Sequence, residues 1–223
     1  MNVKHFRWPF LVITMAWFYW ANELTFTIGI TQSCVDGVCH FEGGTEPHAI
    51  AAAVGLILLY VLFLYAPPAR LGAPMPRVFR RLLAFLLDFI FFMGATVPLV
   101  GIAPTLMEWR GTGVFQWNFA RDASAPYDGW LAMILALSTF ICMAFYFALP
   151  LILGRPSPGS CMMGYQIIPD EGGHLTLILA LKRAFYGFIA VCSAYAVPFK
   201  RREKENGKFW LDIKFGTHAV KLN

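Results

Sequence analysis

Four apolar runs decide what this chain can fold into: about Trp8–Ile30, His48–Ala66, Phe79–Ile102 and Gly129–Leu153. A helix rises 1.5 Å per residue, so about 20 apolar residues cross the roughly 30 Å hydrocarbon core of a bilayer. Each run has about that length. The rest of the composition agrees, with 58% hydrophobic and only 14% charged residues, against about 25% charged in an ordinary soluble domain. The expected fold class is therefore an all-α polytopic membrane protein with about four transmembrane helices. The first run follows Lys4 and Arg7 as a signal peptide would. It is too long and lacks a small-x-small cleavage site, so it reads as a retained anchor.

Charge sets the expected topology. With the N-terminus in the cytoplasm, the inner regions hold Lys4, Arg7, Arg70, Arg77, Arg80, Arg81 and Arg155, and the outer loops hold only Arg110 and Arg121. The outer loops are otherwise acidic, with Asp36, Glu42, Glu46, Glu108, Asp122 and Asp128. That is a positive-inside distribution. A fifth apolar stretch, Leu175–Phe199, is broken by Lys182 and Arg183 and weakened by Gly187 and Pro198. A full crossing there would place the basic tail outside and divide the cations evenly. A re-entrant or in-plane segment with a cytoplasmic tail is expected instead. Both termini then lie inside, as in a multi-pass protein of a bacterial inner (plasma) membrane.

Arg77–Phe92, RVFRRLLAFLLDFIFF, places a basic cluster at the mouth of the third run and Asp88 two turns inside it. A carboxylate at that depth costs about 2.5–3.5 kcal/mol on insertion scales, so it is not expected to be idle. Arg81, Ala84 and Asp88 share one helix face. Arg81 and Asp88 lie about 10 Å apart along the axis, so a cross-segment partner suits Asp88 better, with Lys182 or Arg183 as the expected cation. The pair reads either as a structural ion pair or as a protonatable or cation-binding site. Glu23, about 22 Å into the first run, reads as an interfacial carboxylate or an outer relay.

From about Arg77 onward the chain resembles the RDD family of small multi-pass membrane proteins, named for an Arg and two Asp. The first block is R-x-x-A-x-x-x-D, as Arg81, Ala84 and Asp88. The second, GRPSPGSCMMGYQIIPDEGG followed by ALKR, is similar to G-x-T-x-G-K-x-x-x-G-x-x-V-x-D-x-x-G and a later Arg. It supplies Gly154, Gly159, Gly164, Asp170, Gly172 and Arg183. The third, WLDIKFGTHAV, is similar to H-D-x-x-x-G-T-x-V and supplies Asp212, Gly216, Thr217 and Val220. Ser160 stands where the family has a basic residue, and Leu211 where it has His. The resemblance implies transport, including cation or proton exchange, with Arg81, Asp88, Arg183 and Asp212 as its charged residues. It also divides the chain into a two-helix hairpin with an outer Cys loop, 1–76, and an RDD-like membrane domain with a cytoplasmic tail, 77–223.

Shorter signals complete the reading. Tyr165–Ile168 and Thr217–Leu222 are β-favouring runs that pair into a small cytoplasmic sheet, with Gly172-Gly173 turning the chain after the first and Gly216 and Thr217 as turn and strand start. Cys34 and Cys39 bracket a V-D-G-V turn and are expected to form a disulfide. C-x4-C-H is wider than the haem spacing C-x-x-C-H, and a metal on Cys34, Cys39, His40 and His48 is the alternative to the disulfide; no cofactor or metal is assigned. Trp109, Phe115, Trp117, Phe119, Tyr127 and Trp130 read as an aromatic belt at the headgroups, or as a partner surface.

Walker A, dinucleotide Gly, H-E-x-x-H and nucleophile-elbow motifs are absent, so an enzyme is not expected. The basic residues flank apolar runs and form no face for nucleic acid. The function expected is a small transporter or cation/proton exchanger using buried Arg and Asp charges. The alternative is an accessory or assembly subunit of a larger membrane complex. Its partners are membrane lipids, and other integral subunits or a second copy.

Overall fold

The structure is a computed structural model describing residues 29–36, 38–65, 71–72, 78–123, 129–172, 174–192 and 210–222, with Pro9, Val12, Ile13 and Ala16. In chain order the elements are β1 Gly29–Val35, β2 Val38–Gly44, α1 Pro47–Tyr65, β3 Leu71–Gly72, α2 Val78–Val100, α3 Ile102–Thr112 and β4 Asn118–Ala123. They continue with α4 Gly129–Ile152, α5 Pro158–Met163, β5 Tyr165–Pro169, α6 Leu177–Cys192, α7 Trp210–Lys214 and β6 Thr217–Leu222. Three helical stretches among the described residues are long and apolar enough to cross a membrane: Pro47–Leu64, Arg80–Thr112 and Met133–Ile152. The chain is thus mostly helical and membrane-spanning in character. Most of the first expected run lies outside the described residues, as do Pro198 and the basic tail between α6 and α7.

Two compact units share the long helices. The first contains residues 60–90 and 142–223 along with 1–11, and the second residues 12–59 and 91–141. In the first unit β6 is the middle strand of a three-stranded antiparallel sheet ordered β3-β6-β5. Tyr165 pairs with Lys221 and Pro169 with Thr217, so the two β-favouring runs do form a sheet. Gly216, in the left-handed region at φ +56°, turns α7 into β6, a conformation glycine adopts without the steric cost of a Cβ. The short strand β3 was not anticipated. Ala84, Tyr165 and Ala219 bury together where α2 meets this sheet, and Ala148, Leu175 and Ala180 where α4 meets α6.

α6 corrects the reading of the fifth stretch. The helix runs uninterrupted through Lys182, Arg183 and Gly187, because Arg183 turns inward and is neutralised there rather than breaking the helix. Its 16 described residues would span about 24 Å.

In the second unit β1 and β2 form the expected hairpin, and Cys34 and Cys39 are disulfide-bonded with Cα atoms 4.0 Å apart. Asp36 takes φ +51° in the turn, as such two-residue hairpins require. The segment 103–128 departs from the loop that was expected. Its first part is α3, and β4 adds to β2 to give a sheet ordered β1-β2-β4. Thr105 anchors α3 beside that sheet, donating to the carbonyls of Gly101 at 3.0 Å and Trp117 at 3.1 Å. Gly101 permits the approach, since a Cβ there would lie 2.6 Å from the Gly44 carbonyl oxygen.

Candidate functional site

The polar centre of the first unit contains two carboxylates with different surroundings. Asp88, on α2, is 4% exposed. Ser157 Oγ donates to its Oδ2 at 2.6 Å, the Gly159 amide donates to Oδ1 at 2.7 Å, and the Tyr146 hydroxyl donates to Oδ1 at 3.2 Å. Ser160 Oγ lies 2.9 Å from Ser157 Oγ and extends the hydroxyl cluster. Tyr146 is held in turn by stacking on Tyr60, with ring centroids 4.6 Å apart, while the Tyr60 hydroxyl donates to the Tyr146 carbonyl at 2.7 Å.

Position 159 explains why small residues recur here. A Cβ on Gly159 would fall 2.1 Å from the Ala84 carbonyl oxygen and 2.9 Å from Asp88 Cγ. Only the absence of a side chain lets the start of α5 rest on α2 and deliver its amide to Asp88. Ser157 caps α5, accepting from the Ser160 amide at 3.3 Å, so one hydroxyl serves both the helix and the acid.

The second carboxylate, Asp212, is 0% exposed. Arg81 Nη1 donates to its Oδ2 at 2.6 Å and Arg183 Nη2 to its Oδ1 at 2.8 Å. Arg183 Nη1 also reaches the Leu211 carbonyl at 3.3 Å, and Thr217 Oγ1 approaches Asp212 at 3.5 Å. The acid thus ties α2, α6 and α7 together. Two guanidinium groups on one carboxylate leave this cluster with a net positive charge, and charge-assisted bonds of this kind are about twice as strong as neutral ones.

This arrangement corrects the expected pairing. Arg81, Ala84 and Asp88 do share one helix face, but Arg81 and Arg183 bond Asp212, while the groups bonded to Asp88 are hydroxyls and an amide. Lys182 is exposed and does not neutralise Asp88. Glu23 lies outside the described residues. Sequence reasoning missed Tyr146 and Ser157 as partners of Asp88. Tyr146 carries no local signal. Ser157 does carry one, since it sits two residues before Gly159, where the similar motif has Thr. The disulfide takes both sulfurs away from the alternative metal set, and His40 and His48 bond carboxylates instead.

A cavity of about 130 Å³ opens beside these groups. Asp88, Ser157, Ser160, Arg155 and Arg183 supply its polar wall. Phe85, Phe147, Pro150, Leu151 and Gly187 supply much of the apolar one. The arrangement can hold a proton on Asp88, or offer a cation one carboxylate and neighbouring hydroxyl oxygens.

No curated protein and no solved structure matches the chain. A family model, the RDD family, matches residues 75–212. The matched segment begins just before the arginine cluster of α2 and closes on Asp212, so it contains Arg81, Asp88, Arg183 and Asp212. It covers more than half of the sequence, and the chain belongs to the RDD family of membrane proteins.

Proposed function

We propose that this protein is a small transporter, a cation or proton exchanger in which Asp88 is the site occupied in turn by the transported charge. The observation carrying this reading is the pairing of Asp88. It is a buried acid within a membrane-spanning helix, bonded by neutral donors instead of a guanidinium, and it lines a cavity. Arg81 and Arg183 are engaged by Asp212. An acid locked to a cation would be poorly suited to exchange, because releasing it leaves a buried charge uncompensated. The hydroxyls of Ser157 and Tyr146 can turn from donating to accepting as the carboxylate changes state. In this reading the arginine-rich start of α2 and both chain ends lie on the cytoplasmic side of a bacterial inner membrane, in keeping with the charge distribution. No catalytic step and no nucleic-acid partner is assigned.

Reconstitution of the full chain into liposomes with ion and pH indicators tests this. Wild type should exchange, and Asp88→Asn should fold, insert and fail to exchange. Equal flux in both proteins would refute it. A second reading, an accessory subunit of a larger complex, draws on the second unit. There Trp109, Phe115 and Trp117 form an exposed edge-to-face aromatic cluster, of the kind that anchors interfaces. A stoichiometric integral-membrane partner on gentle solubilisation, with no flux from the chain alone, would favour it.

A further inference from the structure

We infer that Ser160 and Ser157 form a two-step relay that carries a proton from the cavity to Asp88. The inference rests on the reading of Asp88 as the exchanging site, and adds which residues deliver its proton. It starts from how the acid is enclosed. Asp88 is 4% exposed, with the Tyr146 hydroxyl and the Gly159 amide donating to Oδ1 and Ser157 Oγ donating to Oδ2. Of these three donors, Ser157 is the one that also lines the cavity, and Ser160 lines it beside Ser157. A proton arriving from the cavity therefore meets serine hydroxyls at the covered acid.

The spacing of the hydroxyls suits a relay. Ser157 Oγ lies 2.6 Å from Asp88 Oδ2 and 2.9 Å from Ser160 Oγ. Ser160 Oγ is also 3.0 Å from the Ser157 carbonyl oxygen. A hydroxyl has one hydrogen, so Ser160 donates either to that carbonyl or to Ser157 Oγ. The first arrangement leaves the relay open, and the second completes it. Ser157 then passes its hydrogen to Asp88 Oδ2, Ser160 passes its own to Ser157 Oγ, and a hydrated proton in the cavity refills Ser160. One proton has entered, Asp88 is the neutral acid, and both serines are hydroxyls again. Reversing the steps empties the acid.

The other titratable groups around the cavity do not compete for that proton. Arg155, Arg183 and Tyr165 line it too, and guanidinium groups and phenols already carry their hydrogens at ordinary pH. Asp212 has both oxygens on guanidinium groups, Oδ2 on Arg81 and Oδ1 on Arg183. Asp88 is thus the lining group able to gain a proton. The Gly159 amide holds its hydrogen, whereas a hydroxyl can give one and take another in the same motion.

The test is infrared difference spectroscopy of the full chain in detergent micelles after a rapid downward pH jump. Protonated Asp88 is read as the carboxyl band that wild type gains and Asp88→Asn lacks, and the rate of its rise reports proton delivery. Ser160→Cys keeps the space filled, so that no water replaces the hydroxyl, and puts a weakly bonding thiol in the relay. It should slow the rise about a hundredfold, the lower end of what a positioned proton donor contributes, with the titration midpoint of the band unmoved. Ser157→Thr keeps a hydroxyl and the helix cap, and should rise as fast as wild type. An unchanged rate in Ser160→Cys overturns the relay, as does a wild type with no Asp88 band at any pH. So does a rate lowered only as far as a shifted midpoint accounts for, which would make Ser160 a prop for α5. The measurement reads no ion flux. A relay without exchange in liposomes would sink the exchange reading alone, and exchange with an unchanged Ser160→Cys rate would sink the relay alone.

Discussion

The two units hold charge in opposite ways. In the first, an acid lies between two bases and is sealed from solvent: Asp212, 0% exposed, between Arg81 and Arg183. In the second, a base lies between two acids in the open. His40 Nδ1 is 2.7 Å from Asp122 and Nε2 is 3.2 Å from Glu42, with side chains 52%, 68% and 47% exposed. The distances are alike, and the surroundings differ. Desolvation makes the buried cluster unforgiving, because removing one member strands the others. Water and salt make the exposed one nearly dispensable. The first unit is therefore organised by its charges, whereas the second relies on a disulfide and on strand pairing.

Breaking the buried cluster should have the largest effect. Asp212→Asn leaves two guanidinium groups against a neutral amide and should cost about 3–5 kcal/mol. It should be read as loss of folded protein and a lowered melting temperature in detergent. Gly159→Ala should come next, at about 1–3 kcal/mol, because the new methyl would meet the Ala84 carbonyl oxygen. A Gly159→Ala protein as stable as wild type would mean that α5 does not press on α2 so closely. In the second unit, replacing Cys34 and Cys39 together by Ser opens only a small ring. About 2 kcal/mol is expected from loop entropy, measurable by unfolding with and without reductant.

His40→Asn should matter least. Hydrogen bonding to Asp122, and then to Glu42, raises the His40 pKa above its usual value. The folded state therefore binds its proton more tightly than the unfolded state does. Its stabilisation is fully present below about pH 6.5, the unfolded value, and is lost as pH rises through the higher folded value. The difference between wild type and His40→Asn should be small, confined to the acidic side of that window, and erased by high salt. A stability difference that grows toward alkaline pH would contradict this assignment.

How far the sequence reveals this architecture depends on the range of the interactions. Three of the four expected membrane-spanning stretches, the Cys34–Cys39 hairpin and the pairing of Tyr165–Ile168 with Thr217–Leu222 were readable, because apolar length, turn residues and β-branched runs are local. Strand β4 was not. Asn118–Ala123 joins a sheet through β2, whose paired residues lie over 70 positions earlier, and its own residues read equally well as an aromatic loop. The interruption assigned to Lys182 and Arg183 failed for the same reason: an arginine in an apolar helix looks prohibitive until its acid, 29 positions away, is known. The site was half legible. Arg81, Asp88, Arg183 and Asp212 were all named, but their pairing was not, since a carboxylate's choice between arginine and serine is decided by the fold.

Synthesis imposes an order on the buried cluster. Asp212 leaves the ribosome 131 residues after Arg81, a delay of roughly 7–26 s at ordinary translation speeds. Both arginines are therefore synthesised before the acid that joins them. The late acid acts as a bolt, sliding home only after the helices it fastens are in place. Polypeptides released before residue 212 would lack the carboxylate that joins the two guanidinium groups.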